Sequence, residues 1–565
     1  MAAACKHFVA NELERWGNHS RHEFNAQITP QDLWNYYLQP FHECSQHALG
    51  IMCSYNSVNG MPSCVNEWLL KDVLRDRWNF HGYVVTDCGA LDDVVRQHHS
   101  AVSNVQAAAM AMNATVDVSC DGNGHYYPDG LLQAYQEGWV QETSVRQAFA
   151  RLAMIQFQLG LFDDKGEDTR NDDDSDIIDS KQHQELAFQA ALQSIVVLQN
   201  RDRLLPLASQ DLALAVIGPH IHARQALLSN YHGERCGTCK NDAIQAYQCI
   251  ESPLEAIINA NANGVTVGIE GCHINDDWAD DMDKAVAQAK VSDVAILIMG
   301  LDQTQEQEEL DRLETTLPGR QQELIHRVLD VQPKTVLVLL NGGTMSLGRE
   351  ILDRTAAIVE ASYGGQSGSR AMASILFGRY NPTGKLAATM YPPSYVHDIP
   401  MTEMGLTVGV GRTYMYYTGD PEFSFGHGLS YSNWTLSSDA LVSYETILDG
   451  ASQAAVHWNV TVTNHGPYPG GQTILLFGIP LDAQVNFREK LLHFQGTKAL
   501  NVGESQLVTF TISVNDIAVW DDSIQDYATI PGRYQIDART SNNVRISRTL
   551  RVKDTTVLPR EVIKL

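Results

Sequence analysis

Basic residues are scarce in this chain of 565 residues, where 40 Lys and Arg face 67 Asp and Glu for a formal charge of −27. A surface of that sign repels phosphate backbones and anionic lipid, so nucleic acid is not an expected partner and neutral or cationic ligands are favoured. Long apolar runs are missing as well, and no stretch approaches the roughly 20 residues of a bilayer span, so no membrane partner is expected. Cysteines number only ten, too few for a disulfide framework over this length. Cys236-Gly237-Thr238-Cys239 lacks the second pair that a four-ligand zinc site needs, so the expectation is a disulfide involving Cys236, Cys239, Cys249 or Cys272. The acidic run at 163–176 lacks the ligand order of a calcium loop and reads as a solvated linker. The first residues have no basic segment followed by an apolar run, so they do not read as a signal peptide, and no repeat of fixed period appears.

What is present is globular: hydrophobic residues make up 44% and charged residues 19%, and the length implies several domains. Apolar runs at 2–8, 49–55, 82–87 and 115–120 alternate with helical patterns at 31–46 and 67–77, the texture of parallel α/β structure. Chemistry in such folds gathers at the C-terminal ends of strands, which brings Lys6, His7, Ser54, Tyr55, Asn56, Asp87 and Cys120 toward one rim. Beyond the linker, buried-strand patterns recur at 212–217, 265–269, 294–299, 335–340 and 357–361. A connection rich in Tyr, Gly and Pro spans 391–450, and from 451 alternating strands at 456–464, 473–477, 506–514, 532–537 and 544–552 suggest a β-sandwich ending near 555. Sequons at Asn18, Asn113, Asn433 and Asn459 suit a secreted chain. His98-His99 reads as surface.

The segments Met52-Cys53-Ser54-Tyr55-Asn56-Ser57-Val58-Asn59-Gly60-Met61-Pro62 and Gly82-Tyr83-Val84-Val85-Thr86-Asp87-Cys88 resemble glycoside hydrolase family 3. Leu159-Gly160-Leu161-Phe162, Ser194-Ile195-Val196-Val197-Leu198-Gln199-Asn200 and Phe377-Gly378-Arg379-Tyr380-Asn381-Pro382-Thr383-Gly384-Lys385-Leu386 agree in order, and the stretches from Gly411 to Tyr431 and Val462 to Gly466 resemble the family's linker and fibronectin type III-like domain. The implied fold class is α/β plus β. Residues 1–165 would be the C-terminal half of a (β/α)8-type barrel, 180–390 an α/β sandwich with a largely parallel sheet, 391–450 a linker and 451–555 the fibronectin type III-like domain.

The resemblance implies a retaining exo-glycosidase with an aspartate nucleophile on the barrel and a glutamate acid/base on the α/β sandwich. Asp87 matches the nucleophile, and a buried strand ending in a carboxylate would fix it at the rim; without the motif, a strand-end Asp reads as a cap or salt-bridge partner. In Glu306-Gln307-Glu308-Glu309-Leu310-Asp311-Arg312 the family register selects Glu308, three residues before an Asp-Arg pair, with Glu306 and Glu309 as alternatives and a solvated acidic loop as the plainer reading. Lys6 and His7 resemble the family's Lys-His pair that hydrogen-bonds sugar hydroxyls, and Tyr55 a residue close to the nucleophile. Cysteine after the nucleophile, at Cys88, resembles the β-xylosidases and α-arabinofuranosidases rather than the β-glucosidases; Cys88 and Cys120 would lie on adjacent strand ends, while Ser119-Cys120-Asp121-Gly122 departs from the xylosidase pattern.

The expected activity is therefore release of terminal β-D-xylose from xylo-oligosaccharides, with α-L-arabinofuranosidase or dual pentosidase activity, and a non-catalytic carbohydrate-binding protein, as alternatives. Two carboxyl groups and water suffice for this chemistry, so no cofactor or metal is implied, and the family implies an extracellular location. A (β/α)8 barrel takes about 250 residues, whereas fewer than 165 precede the linker. The four strands would then be the last four, sugar-binding groups would be missing, and poor solubility and reduced activity follow as expectations.

Overall fold

A computed structural model describes residues 2–121, 126–163, 179–207, 211–232, 247–438, 446–448, 455–541 and 544–558. The acidic linker beyond Asp163, Gly122 to His125, and both Cys236 and Cys239 lie outside the described residues.

Strands Ala4–Phe8, Gly50–Cys53 and Tyr83–Thr86 form a parallel sheet in that order. The expected fourth strand is reduced to one parallel bridge between Val85 and Val118, because Cys120 N donates to the Thr86 hydroxyl instead of a ladder carbonyl. Helix Trp68–Arg77 forms as its pattern predicts. The pattern at 31–46 breaks into Leu33–Tyr37 and Gln39–Ser45, since Pro40 has no N–H to continue a helix and fits only a first turn. Contrary to the expectation from cysteine count, three disulfides cross-link this domain: Cys5–Cys44, Cys53–Cys64 and Cys88–Cys120. Ten cysteines are sparse over the whole chain but concentrated here, which a whole-chain count hides.

The second domain is a six-stranded sheet in the order Val265–Ile269, Ala213–Ile217, Val294–Gly300, Thr335–Leu340, Ala357–Glu360 and Val196–Asn200. Five strands are parallel, and Val196–Asn200 closes the edge antiparallel. Every residue of Val294–Gly300 and Thr335–Leu340 is buried, as expected where helices cover both faces of a parallel sheet. Of the four cysteines among which a disulfide was expected, Cys249 is disulfide-bonded and Cys272 is a free, buried thiol.

The third domain packs a sheet of Trp434–Ser437, Val456–Asn464 and Ser505–Ile512 against one of Thr446–Leu448, Val544–Val552, Gly532–Ser541, Thr473–Pro480 and Lys490–Gly496. Its first strand starts at Trp434, upstream of the change in texture at 451, and pairs antiparallel with Val456–Asn464. Contacts across domains fix the assembly: Tyr37 Oη donates to Met404 O at 2.8 Å, and Trp520 N to Asn35 Oδ1 at 2.8 Å. No described helix is long and apolar enough to cross a membrane.

Candidate active site

Asp87 follows the last residue of strand Tyr83–Thr86, and its own N–H donates to Cys53 O on the neighbouring strand at 3.0 Å. Cys88 N donates to Asp87 Oδ1 at 2.8 Å. Gly89, with φ of 83°, then turns the chain into helix Ala90–Arg96, a left-handed conformation that suits a residue without Cβ. The carboxylate is 8% exposed, and Oδ2 is buried with no hydrogen-bond partner among the described residues. Such an orphan is costly unless a ligand meets it.

His7 Nε2 stands 3.4 Å from that oxygen. In a regular strand Lys6 and His7 would point to opposite faces, but the pairing shifts from Cys5↔Ile51 to Phe8↔Cys53, inserting one extra residue between them. A bulge of this kind re-aims side chains at a rim. Burial lowers the His7 pKa against the opposing Asp87 charge, so the imidazole is neutral near pH 7.

Tyr55 Oη donates to Cys88 O at 2.9 Å, one residue from Asp87. Burial, then the Asp87 charge, raises its pKa and keeps it protonated. His98 is not the surface residue the sequence suggested: Nε2 lies 2.8 Å from Tyr55 O and Nδ1 3.1 Å from Ser57 Oγ, bracing that loop from behind. Only His99 of the pair is exposed.

The three glutamates after strand Val294–Gly300 have different surroundings. Glu306 is held inside its own domain, where Gly342 N, Gly343 N and Tyr363 Oη donate to it at 2.6, 3.0 and 2.8 Å and Arg312 Nε lies at 3.3 Å. Every lone pair faces a donor, which suits a structural strut. Glu309 is half exposed, with φ of 65°, and its carboxylate lies 3.5 Å from Arg21 Nη2 and 3.7 Å from both Arg15 Nη2 and His22 Nε2. Glu308 points across the domain boundary, where Arg21 Nη2 donates to Oε1 at 2.9 Å and Tyr231 Oη donates to Oε2. The loop docks on the first domain through Asp311 Oδ2, which accepts from Glu14 N and Arg15 N at 2.7 and 2.9 Å.

Arg21 is the hub of this junction. Its side chain is 5% exposed, binds Glu14 as well as Glu308, and lies 4.6 Å above the Tyr55 ring. Lys6 Nζ sits 4.7 Å from the centre of the Tyr231 ring, completing a ring of groups from the rim to the loop. Asp87 and Glu308 both act electrostatically on Tyr55 and on Tyr231, so one cluster holds all the predicted site residues. The hydrogen bond from Tyr231, opposed by burial and assisted by Arg21, holds the Glu308 pKa below the usual carboxylate range. The same bond, then burial, pushes Tyr231 up to about 12.

Sequence reasoning missed Arg21, Tyr231 and Glu14. Arg21 left one faint signal, a cation beside His22 in a polar segment of an acidic chain. Tyr231, 71% exposed on a loop, left none.

Comparison with known proteins places the chain among known sequences and folds. The model of the glycosyl hydrolase family 3 N terminal domain matches residues 1–155, that of the family's C-terminal domain 195–431, and that of a fibronectin type III-like domain 475–542. "Probable beta-D-xylosidase 7" of Arabidopsis thaliana is 36% identical over 84% of this chain and 64% of its own length. "Beta-xylosidase/alpha-L-arabinofuranosidase 1" of Medicago sativa subsp. varia is 31% identical over 92% of this chain and 69% of its own. The solved structure of a GH3 exo-beta-xylosidase (XlnD) in complex with a xylobiose aziridine activity based probe superposes with a TM-score of 0.89 at 28% identity, covering 99% of this chain and 73% of that one. The chain thus spans a little under two thirds of the length of the Arabidopsis relative.

Proposed function

The chain belongs to glycoside hydrolase family 3, and from that premise we propose that it is a retaining exo-glycosidase releasing terminal β-D-xylose from xylo-oligosaccharides. The observation that carries the reading is the buried carboxylate of Asp87, with His7 Nε2 3.4 Å from its Oδ2, in one cluster with Glu308, which reaches Arg21 from the second domain. Asp87 attacks the anomeric carbon while Glu308 gives its proton to the departing glycosidic oxygen. The C–O bond breaks and a glycosyl ester forms on Asp87. Water then enters, Glu308 takes its proton, and a second displacement frees the sugar with its original configuration.

Paired with Tyr231 and Arg21, Glu308 favours the carboxylate, the form that acts as base in the second displacement. Acid duty in the first requires a proton, and burial of the carboxyl beneath a bound sugar favours the protonated form. Lys6 and His7 supply hydrogen bonds to neutral sugar hydroxyls at the same rim. Cys88 after the nucleophile and the names of the relatives support xylose as the sugar. The relative named for both activities favours α-L-arabinofuranoside hydrolysis as a second reading. An extracellular location is supported by the exposure of all four sequon asparagines, Asn18, Asn113, Asn433 and Asn459.

Hydrolysis of an aryl β-xyloside followed by NMR tests the proposal. The expected first-formed product is β-xylose, at a higher kcat/KM than arabinose from the aryl α-L-arabinofuranoside. First-formed α-xylose would overturn retention, a reversed preference would favour the second reading, and xylose binding with no turnover would make the chain a binding protein.

A further inference from the structure

A second aromatic assembly lies outside the Asp87 and Glu308 site, where the C-terminal sandwich meets the first domain. Trp34 and Trp520 stack at 4.4 Å and 11°, and Trp68 meets Trp34 edge-on at 6.1 Å and 87°. The Arg77 guanidinium lies 4.9 Å from the Trp34 ring and 5.1 Å from the Trp520 ring, and its outer nitrogen pairs with Asp526. Trp34 and Trp520 are each 5% exposed, so they are fixed in place; Trp68 is 41% exposed, with its indole on the cleft wall. An aromatic ring held rigidly by its neighbours and left open to water has no evident role in the core.

The cleft beside it has a volume of ≈ 1220 Å³ and shares Trp520 and Asp522 with a second cleft of ≈ 570 Å³. The two clefts therefore meet at Trp520 and Asp522. The larger cleft is lined by the rings of Trp34, Trp68, Trp78 and Trp520 together with polar side chains. Asp72 and Asp76 stand exposed on helix Trp68–Arg77, and Asp522, which accepts from Trp520 Nε1 at 2.8 Å, faces them from the sandwich loop. His42, 6% exposed, lines the same cleft with a buried Nδ1 that has no hydrogen-bond partner among the described residues.

We propose that this groove binds a neutral oligosaccharide chain, with the face of Trp68 as stacking platform and the carboxylates of Asp72, Asp76 and Asp522 as partners for hydroxyls. The C–H face of a pyranose stacks on an indole while its equatorial hydroxyls reach acceptors at the edge, and exposed carboxylates exclude anionic sugars. The inference is independent of the activity proposed for Asp87.

Fluorine NMR of the 565-residue chain labelled with 5-fluorotryptophan resolves the nine indoles, and Trp68→Phe assigns the resonance of Trp68. Titration with xylohexaose in the Asp87→Asn background, which cannot consume the ligand, is expected to shift that resonance saturably in the millimolar range or below, with a midpoint unaffected by adding Lys6→Ala at the catalytic rim. Trp68→Ala should weaken the interaction at least tenfold in affinity electrophoresis through soluble xylan while leaving aryl xyloside turnover unchanged. The idea is overturned if the resonance stays still, if its midpoint follows Lys6→Ala, or if spermine rather than xylohexaose moves it, which would make the groove a cation site.

Discussion

The two carboxylates of the proposed site are supported in opposite ways. Asp87 belongs to the covalently tied first domain: its strand is paired, Cys88 beside it is cross-linked to Cys120, and its own N–H is bonded to the next strand. Glu308 stands on a loop whose position depends on groups from elsewhere, namely Arg21, Glu14 and Arg15 from the first domain and Tyr231 from another loop of its own. A nucleophile needs one fixed position, and a strand end supplies it. An acid/base must also change protonation state within each cycle, and its partners tune that equilibrium.

Removing the fixed member should have the greatest effect. Asp87→Asn is expected to lower kcat on an aryl β-xyloside by on the order of 10⁴-fold or more, and a variant within tenfold of the parent would break the comparison at its first term. Glu308→Gln should cost about 10²–10⁴-fold and regain activity with azide on a substrate whose leaving group needs no proton. Glu306→Gln should instead act through stability, losing roughly 1–3 kcal/mol because four donors are left facing a weaker acceptor; chemical denaturation measures it, and azide rescue of this variant would exchange the roles of the two glutamates.

Arg21→Gln sharpens the contrast by loosening the junction alone. It should lower kcat roughly tenfold with little change in melting temperature, since the first domain keeps its disulfides; a collapse in melting temperature would make Arg21 a fold residue. The mildest change is Tyr231→Phe. A donor to the ionised carboxyl lowers its pKa, so removing Tyr231 raises the Glu308 pKa. The acid form then persists to higher pH, and the alkaline limb of kcat/KM should move to higher pH. A downward shift would contradict the assigned direction.

The same contrast decides what could be read from the sequence. Asp87 was legible because a strand and its terminal residue are local features, with Tyr83-Val84-Val85 announcing burial before the carboxylate. The sheet of the second domain was legible for that reason, its strands being apolar runs buried along their length. Val196–Asn200 was harder to see as a strand because it ends in Gln199 and Asn200, and Lys490–Gly496 because it is an edge strand with little burial. For Glu308, spacing to Asp311-Arg312 selected the residue, and the surroundings in which it differs from Glu306 are tertiary, since the amides that hold Glu306 come from Gly342 and Gly343, more than thirty residues away in the chain. Arg21 and Tyr231 were invisible because their roles exist only across that separation.

The central claim, that Asp87 is the attacking group of a retaining reaction, is tested most directly by trapping its ester. Incubation with an activated 2-deoxy-2-fluoro-β-xyloside, followed by proteolysis and mass spectrometry, should place one fluoroxylosyl adduct on Asp87. An adduct on Glu306, Glu308, Glu309 or any other residue, or turnover with no adduct at all, would contradict it.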